Sequence, residues 1–469
     1  MTTTGANARA IAAGSTTAGA RVLARHPHPS ETTLATALAH AFLAADAWNR
    51  SAVIESAVSV LGVRRRWLGP LATEILRIYH RPPTDSPREL TSIIARCAPF
   101  LSAVDAAARR GVPIRIQRHR VVPTQAQTRD ERVHLISTLA ELSTLLDLSL
   151  GELDWFADTK KWNRRAAPGH LHHYRYEWRR RSGRVPRLFE VPQSRMRAVQ
   201  RTVLASILSA VPTHDAAHGF VPGRSAITGA QQHTGSRVVI ALDLVTFFAR
   251  VTARRVYSTL RQVGYPEAVA HSLAGLCTNA VPHRVLSAMP PGGTPEARFA
   301  LRQALATAHL PQGAPTSPML ANLAVRRLDS RLEGWATHSG ATYTRYADDL
   351  AFSGDALLLT RADAFVRGVQ RIVLAEGHQL NALKTRVRKR SVRQTVTGIV
   401  VNERTNVTRT EFDRLSATLH NCVLHGPASQ NREKHADFRA HLLGRITWVE
   451  SLNPGRSARL RGEFARIRW

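Results

Sequence analysis

From Ala35 to about Leu150, apolar residues recur at three- and four-residue spacing, as in Leu135, Leu139, Leu142, Leu146 and Leu150. That period predicts amphipathic helices, interrupted at Pro82-Pro83 and between Pro113 and Pro123. Residues 1–30, rich in Ala, Thr and Gly, are expected to form a poorly ordered tail, and 31–150 a helical N-terminal extension. From Leu171 the texture changes. The stretch from Tyr174 to Pro192 alternates, is rich in aromatics and is split by Ser182-Gly183, which predicts a hairpin continuing as an extended strand. Met196 to Leu208 is again helical in period. Val238 to Phe248 is a nearly continuous apolar run that opens on β-branched residues, as buried strands do. Pro282 to His309, with Pro290-Pro-Gly-Gly-Thr-Pro295, reads as a long loop-bearing insertion. Thr408 to Trp469 returns to helical spacing, with Leu415, Leu419, Val423, Leu442 and Leu443 as the expected core.

Composition narrows the classes. The chain has 469 residues, 43% of them hydrophobic, enough for two or three globular domains. No apolar run approaches the roughly 20 residues of a membrane span. Three widely spaced cysteines, Cys97, Cys277 and Cys422, offer neither a disulfide framework nor a paired zinc site. No compact apolar leader opens the sequence, so a cytoplasmic protein is expected. The net charge is +31, and only five of the 65 basic residues are lysines. A charge of that size, spread along the chain and carried by arginine, fits a large polyanion, most simply nucleic acid. An arginine- and alanine-rich genome is the competing explanation.

Candidate chemistry lies at two acidic places. Asp243 is the single carboxylate in the apolar run 238–248. Such a group is costly to bury unless it is paired or metal-bound; alone, it is also explained as a cap. Asp348-Asp349 lies between two short β-prone runs in Tyr343-Thr-Arg-Tyr-Ala-Asp-Asp-Leu-Ala-Phe-Ser353, which sets adjacent like charges at a hairpin tip. A divalent cation would neutralise them, and an all-oxygen donor set favours Mg²⁺ or Mn²⁺ over zinc; a solvated Asp-Asp turn is the competing explanation.

Tyr346-Ala347-Asp348-Asp349 resembles the Tyr-x-Asp-Asp signature of reverse transcriptases, and Asp243 falls where that family has its other metal-binding carboxylate. Between them, Leu310-Pro-Gln-Gly-Ala-Pro-Thr-Ser-Pro318 matches the family's Pro-Gln-Gly-x-x-x-Ser-Pro block. The resemblance implies an α+β right-hand polymerase, with fingers at 151–235, palm at 236–402 including a fingers-side insertion at 282–310, and a helical thumb at 403–469. It implies two Mg²⁺ ions, with Mn²⁺ an alternative, held by Asp243, Asp348 and Asp349 with Leu244 beside them. Arg187 corresponds to the fingers residue that holds the triphosphate, Phe248 to the gate against a ribose 2′-OH, Gln312 to the residue beside the sugar, and Lys384 to a lysine near the phosphates. One departure is Ala249-Arg250-Val251, where the family usually continues Pro/Asp-Ser-Ile.

Within that family, Val396-Thr397-Gly398 matches the Val-Thr-Gly signature of retron reverse transcriptases. Ala230-Gln-Gln-His233 resembles their Asn-Ala-x-x-His signature, with Gly229 in place of the Asn. The subfamily implies a cognate structured non-coding RNA as template, a guanosine 2′-OH as primer and a branched RNA–DNA product. It further implies dNTP substrates and a role in antiphage defence with an accessory effector. RNA or template contacts are expected from Arg184, His233, Arg388, Arg390, Val396, Thr397, Gly398 and Arg459. His170, His172 and His173 read as a surface or RNA-contacting cluster. The alternatives are another reverse transcriptase, such as a group II intron maturase or a defence polymerase, and a non-catalytic RNA-binding protein on a polymerase scaffold.

Overall fold

A computed structural model describes residues 29–122, 124, 132–165, 169 and 171–469. The expected tail lies almost wholly outside the described residues, as does His170. The chain divides into two compact units at Pro123/Thr124. The first is helical: Pro29–Leu43, Arg50–Leu61, Leu68–Ile78, Pro87–Ile94 and Ala98–Arg109 bury Leu38, Phe42, Leu71, Ile75 and Phe100 in their own core. Caps set its boundaries. Asn49 accepts from the Ala52 N–H, and Gly62, at φ 70°, ends the second helix, a left-handed position that glycine tolerates.

The expected extension to residue 150 therefore ends earlier. Leu139–Leu145 and Leu150–Ala157 are two helices, separated by Asp147 at φ 53° and by a capping box at Ser149 and Glu152. Leu135 and Leu150 are each 57% exposed, so the leucine stripe is not one face of one helix. Leu142, Leu146 and Leu153 join the main core of the second unit.

Eight strands occur among the described residues: β1 (Tyr174–Arg181), β2 (Arg184–Pro192), β3 (Val238–Asp243), β4 (Thr342–Tyr346), β5 (Asp349–Gly354), β6 (Arg386–Lys389), β7 (Thr395–Val396) and β8 (Ile399–Val400). The central antiparallel sheet has the order β4-β5-β3-β6. Alternation along β3 sends Val238, Ile240 and Leu242 into the main core, with Leu350 and Phe352 of β5, against helices such as Arg326–His338 and Ala362–Ala375. Val239 and Ala351 face the other way, toward Ala230, β7–β8 and the C-terminal helices. Asp243 and Asp349 share that second face by the period-two rule.

The three-helix C-terminal region (Arg409–His425, Phe438–Leu452, Pro454–Ala465) buries Leu415, Leu419, Leu442 and Leu460, whereas Leu443 is 38% exposed. β1 and β2 form the expected hairpin, turning at Gly183 with φ 63°. Most of the insertion is two helices, His283–Ser287 and Pro295–Ala306. They pack Leu286, Met289, Leu301 and Leu305 under Leu188 of β2, and Trp178 of β1 donates its indole N–H to the Val285 carbonyl at 3.1 Å. The insertion thus backs the hairpin. Together these elements make a right-hand polymerase fold: hairpin fingers, an antiparallel palm and a helical thumb.

Two expected RNA contacts are buried instead. His233 is 0% exposed; its Nδ1 lies 2.7 Å from Ser353 Oγ and its Nε2 2.7 Å from Thr344 Oγ1. Burial, with His218 nearby, pushes its pKa down to about 4, so it is a neutral pin across β4 and β5. Val396 is packed in the thumb-side core, because period two turns its side chain inward beside Thr397. His172 and His173 are also buried, each 6% exposed. His172 meets Arg284 at 3.1 Å, and the His173 ring packs against Trp155 and Phe156.

One residue from the end of β4, Arg345 is 1% exposed and forms a forked pair with Asp329, Nε to Oδ1 at 2.8 Å and Nη2 to Oδ2 at 2.7 Å. Leaving one member of such a pair alone is strongly destabilising, so Arg345→Ala is expected to cost about 3–5 kcal/mol, read as lost stability in denaturant titration. His233→Ala is expected to lower the melting temperature while leaving the salt slope of RNA binding unchanged, since that slope counts phosphate contacts. A reduced slope would restore His233 to the RNA interface.

Candidate active site

The chain reaches the site by three short routes. β3 delivers Asp243 at its end, and β5 begins with Asp349 directly opposite in register. Between β4 and β5, Tyr346 pairs with Asp349, leaving Ala347 and Asp348 as a two-residue turn. Ala347 has φ 54°, a left-handed conformation that costs a non-glycine residue about 1–2 kcal/mol. The surroundings over-determine it. Arg345 Nη1 donates to the Ala347 carbonyl at 3.2 Å, and Gly219 passes so closely that a Cβ there would lie 2.9 Å from the Ala347 nitrogen. Leu244 donates its N–H to the Asp348 carbonyl at 2.9 Å, tying the two acidic segments together. Its side chain is buried, so only its backbone is available to a ligand. Thr246, just beyond, has φ 49°. A β-branched residue there marks strain of the kind found at functional turns.

The carboxylates lack a full complement of positive charge. Burial raises the pKa of Asp348, with Asp243 adding to it while Lys384 and Arg187 oppose. Asp349 keeps an open face, yet the protein packed around it, then the charges of Asp348 and Asp243, push it up to about 6. Asp243 is already engaged: Lys384 Nζ contacts Oδ2, and Asn381 Nδ2 donates to Oδ1 at 3.2 Å. Among the described residues no group of three His, Cys, Asp or Glu is arranged as a ready metal cage. The donors nevertheless fit a hard divalent cation, being oxygens only and charged beyond what Lys384 neutralises. Such a cation would take Asp243, Asp348 and Asp349, with the Leu244 backbone adjacent, once Lys384 leaves Asp243.

Around this cluster the structure assembles some expected residues and adds others. Phe248 and Gln312 line one cavity of about 360 Å³. Arg197 and Arg201 of the helix Ser194–Val203 line it too; their four-residue spacing was visible, but nothing in the sequence aimed them there. Arg187 lies on the exposed side of β2 and acts electrostatically on Asp348. Arg181, on the facing strand where it pairs with Arg184, was given no nucleotide-binding role. Burial, then Arg187 and Arg184, lower its pKa while Asp243 and Asp348 raise it, which places it in the carboxylates' field. Asn381, three residues before Lys384, was also missed. Of the remaining expected contacts, the four arginines are not gathered at the carboxylates, whereas Thr397 and Gly398 share a cavity with Asp349. Arg184 lies at the fingers turn, and Arg459 is exposed on Pro454–Ala465. Arg388 reaches Thr395 Oγ1, and Arg390 approaches Glu403 at 3.9 Å. Thr397 and Gly398 form the β7–β8 turn at φ 47° and 86°; with Asp349 and Tyr346 they line a second cavity of about 200 Å³.

The raised Asp349 carboxyl carries a sign. Its proton binds more tightly in the folded state, so the metal-free protein gains stability as pH falls through about 6, and a divalent cation competes with that proton. Stabilisation by added Mn²⁺, followed as melting temperature, is expected to be largest above pH 6, to fade toward pH 5, and to vanish with EDTA. A pH-independent Mn²⁺ effect would show that Asp349 is not a ligand.

Comparison with known proteins places this geometry. Residues 182–401 match the family described as Reverse transcriptase (RNA-dependent DNA polymerase). The chain is 36% identical over 402 residues to the Retron Mx65 reverse transcriptase of Myxococcus xanthus, spanning 84% of this chain and 87% of that one. It is 37% identical over 301 residues to the Retron Mx162 reverse transcriptase of the same organism, covering 60% and 58% of the two chains. It is 28% identical over 271 residues to the Retron Ec86 reverse transcriptase of Escherichia coli, covering 57% and 72%. The carboxylate turn, the palm that carries it and this extent of shared sequence together make the chain a member of the retron reverse transcriptases, which are RNA-directed DNA polymerases.

Proposed function

We propose that this protein copies a cognate structured non-coding RNA into single-stranded DNA, starting from a guanosine 2′-OH of that RNA and so yielding a branched RNA–DNA hybrid. The observation that carries the reading is the register of the palm, which sets Asp243 opposite Asp349 with Asp348 at the adjoining turn, in a chain of the retron family. Asp243 and Asp348, with Asp349 in support, would hold two Mg²⁺ ions, or Mn²⁺, whose chemistry there would be to lower the pKa of the attacking hydroxyl and to neutralise the pyrophosphate leaving group.

The chain's own residues do the rest. Arg187, with Arg181 beside it, holds the triphosphate from the fingers side. Phe248 closes the sugar subsite against a 2′-OH, and Gln312 lies along the same cavity. Lys384 exchanges its contact with Asp243 for the phosphates when metal and nucleotide enter. Positioning and charge neutralisation of this kind carry most of the catalysis in phosphoryl transfer. Arg184, Arg388, Arg390 and Arg459 serve the nucleic-acid backbone, and Thr397 and Gly398 the strand beside the carboxylates. A role in antiphage defence, with an accessory effector and in the cytoplasm, follows from the family reading.

The test is to express the gene with its upstream flank, extract nucleic acid, and treat it with RNase and debranching enzyme. A discrete single-stranded DNA that shifts on debranching and is absent from Asp348→Asn is expected. DNA that does not shift would leave a reverse transcriptase without 2′ priming. No DNA from the native protein, with RNA copurifying, would favour the RNA-binding alternative.

A further inference from the structure

Arg187 and Gln312 lie on separate segments, and one residue joins them. Glu190, on β2 three residues beyond Arg187, donates its backbone N–H to the Gln312 carbonyl at 2.9 Å. Gly313 runs so close that a Cβ there would lie 3.1 Å from the Glu190 carbonyl oxygen. The Glu190 side chain turns away from solvent into a polar pocket with no water-facing side. Its Oε1 meets His309 Nε2 at 2.8 Å, with both side chains 1% exposed, and its Oε2 accepts from Asn279 Nδ2 at 2.7 Å.

His309 is charged by geometry. Its second ring nitrogen, Nδ1, lies 2.7 Å from the Thr307 carbonyl oxygen, so both nitrogens face acceptors and both carry protons. Burial opposes that charge, but the Glu190 carboxylate and the Thr307 carbonyl outweigh it and raise the imidazole pKa. The backbone of His309 is equally constrained. It exchanges two hydrogen bonds with Asn279, both 2.9 Å, while Leu310 donates to Val251 at 3.0 Å. This short extended piece runs directly into Pro311-Gln312 and is stitched to the segment that follows Phe248.

A buried ion pair is weak evidence for stability, because an apolar replacement is often no worse. What it supplies here is direction: two charged partners with every polar atom satisfied have one low-energy arrangement. We infer that the Glu190–His309 pair is a positioning strut that sets the spacing between Arg187 on the fingers hairpin and Gln312 beneath it, and with it the affinity for the incoming nucleoside triphosphate. The inference rests on the nucleotide-site reading given above. Neither residue touches the nucleotide; both act through Arg187 and Gln312.

The experiment is primer extension on poly(rA)/oligo(dT) with Mg²⁺, titrating dTTP for the full chain, Glu190→Gln, His309→Gln and the double variant, alongside their melting temperatures. Displacing a positioning group by about 1 Å can cost up to about 100-fold, so KM for dTTP is expected to rise about tenfold in each single variant, with kcat per active site within about twofold. The double variant is expected to be no worse than the more affected single one, as residues acting as a unit are non-additive. Unchanged KM, with activity falling only as the folded fraction falls, would overturn the inference and leave the pair merely structural. Should Glu190→Gln not fold, Asn279→Ser loosens one carboxylate oxygen while keeping the ion pair. A smaller KM rise is expected there, and an unchanged KM again overturns the idea. Failure of the native protein to extend the primer at any dTTP concentration would instead overturn the nucleotide-site reading, a result distinct from a flat KM series.

Discussion

The geometry of the carboxylate turn depends on one buried charge pair. Arg345 is fixed by Asp329 through two parallel hydrogen bonds, and the Tyr343 hydroxyl donates to Asp329 Oδ1 at 2.9 Å. The remaining guanidinium nitrogen reaches Asn322 Oδ1 at 2.9 Å and the Ala347 carbonyl. Asn322 in turn donates to the Gly219 carbonyl at 2.8 Å, and Gly219 is the residue packed on the Ala347 nitrogen. Arg345's own backbone accepts from His218 and donates to Ala216. One cation thus coordinates a palm helix, the loop 216–219 and the strained turn between β4 and β5. Only arginine, with donors spread in a plane, can serve all of these partners at once.

A rigid turn is needed because the carboxylates it presents repel one another. In water the repulsion would be relieved by the side chains swinging apart; here the register of β3 with β5 and the clamp on Ala347 deny that freedom. The cluster is therefore poised for a cation, and its electrostatic cost is met by whatever cation is at hand. In this structure that is Lys384. Its contact with Asp243 is a compact ammonium beside a carboxylate, not a bidentate fork, and such point-charge contacts are more easily exchanged. The same lysine can therefore neutralise Asp243 without being locked to it.

Much of this was legible in sequence because it is local. The apolar run into Asp243, the short β-prone runs around Asp348-Asp349 and the Ser182-Gly183 split each specify an element within about ten residues of chain. Register is not local: nothing in the runs themselves says that Asp243 stands opposite Asp349 rather than one step along, and only the two-faced burial of β3 decides it. Arg345 was invisible for another reason. In a chain with a surplus of arginine, one more beside a tyrosine reads as phosphate contact, and its partner Asp329 lies on a separate helix. His233 failed in the opposite direction. A histidine in a signature segment invites a ligand, but the Ser353 and Thr344 hydroxyls that satisfy it are more than a hundred residues away. Val396 shows that a motif can mix roles: its side chain packs the thumb-side core, while Thr397 and Gly398 make the turn.

The fingers illustrate how an insertion that carries no chemistry of its own can matter to the site. A two-stranded hairpin is at best marginally stable alone, and this one carries Arg179, Arg180, Arg181, Arg184 and Arg187 around a tight turn, where like charges push the strands apart. The helices His283–Ser287 and Pro295–Ala306 supply an apolar floor under Leu188 and Trp178. Gly293, at φ 74°, lets the connecting loop approach Val185 so closely that a Cβ would lie 2.9 Å from its backbone nitrogen. With that support Arg181 and Arg187 are held within reach of the palm carboxylates, the field of Asp243 and Asp348 opposing the repulsion that Arg181 receives from its neighbours and Arg187 acting in turn on Asp348. Fingers and palm therefore relieve part of each other's excess charge across the space between them.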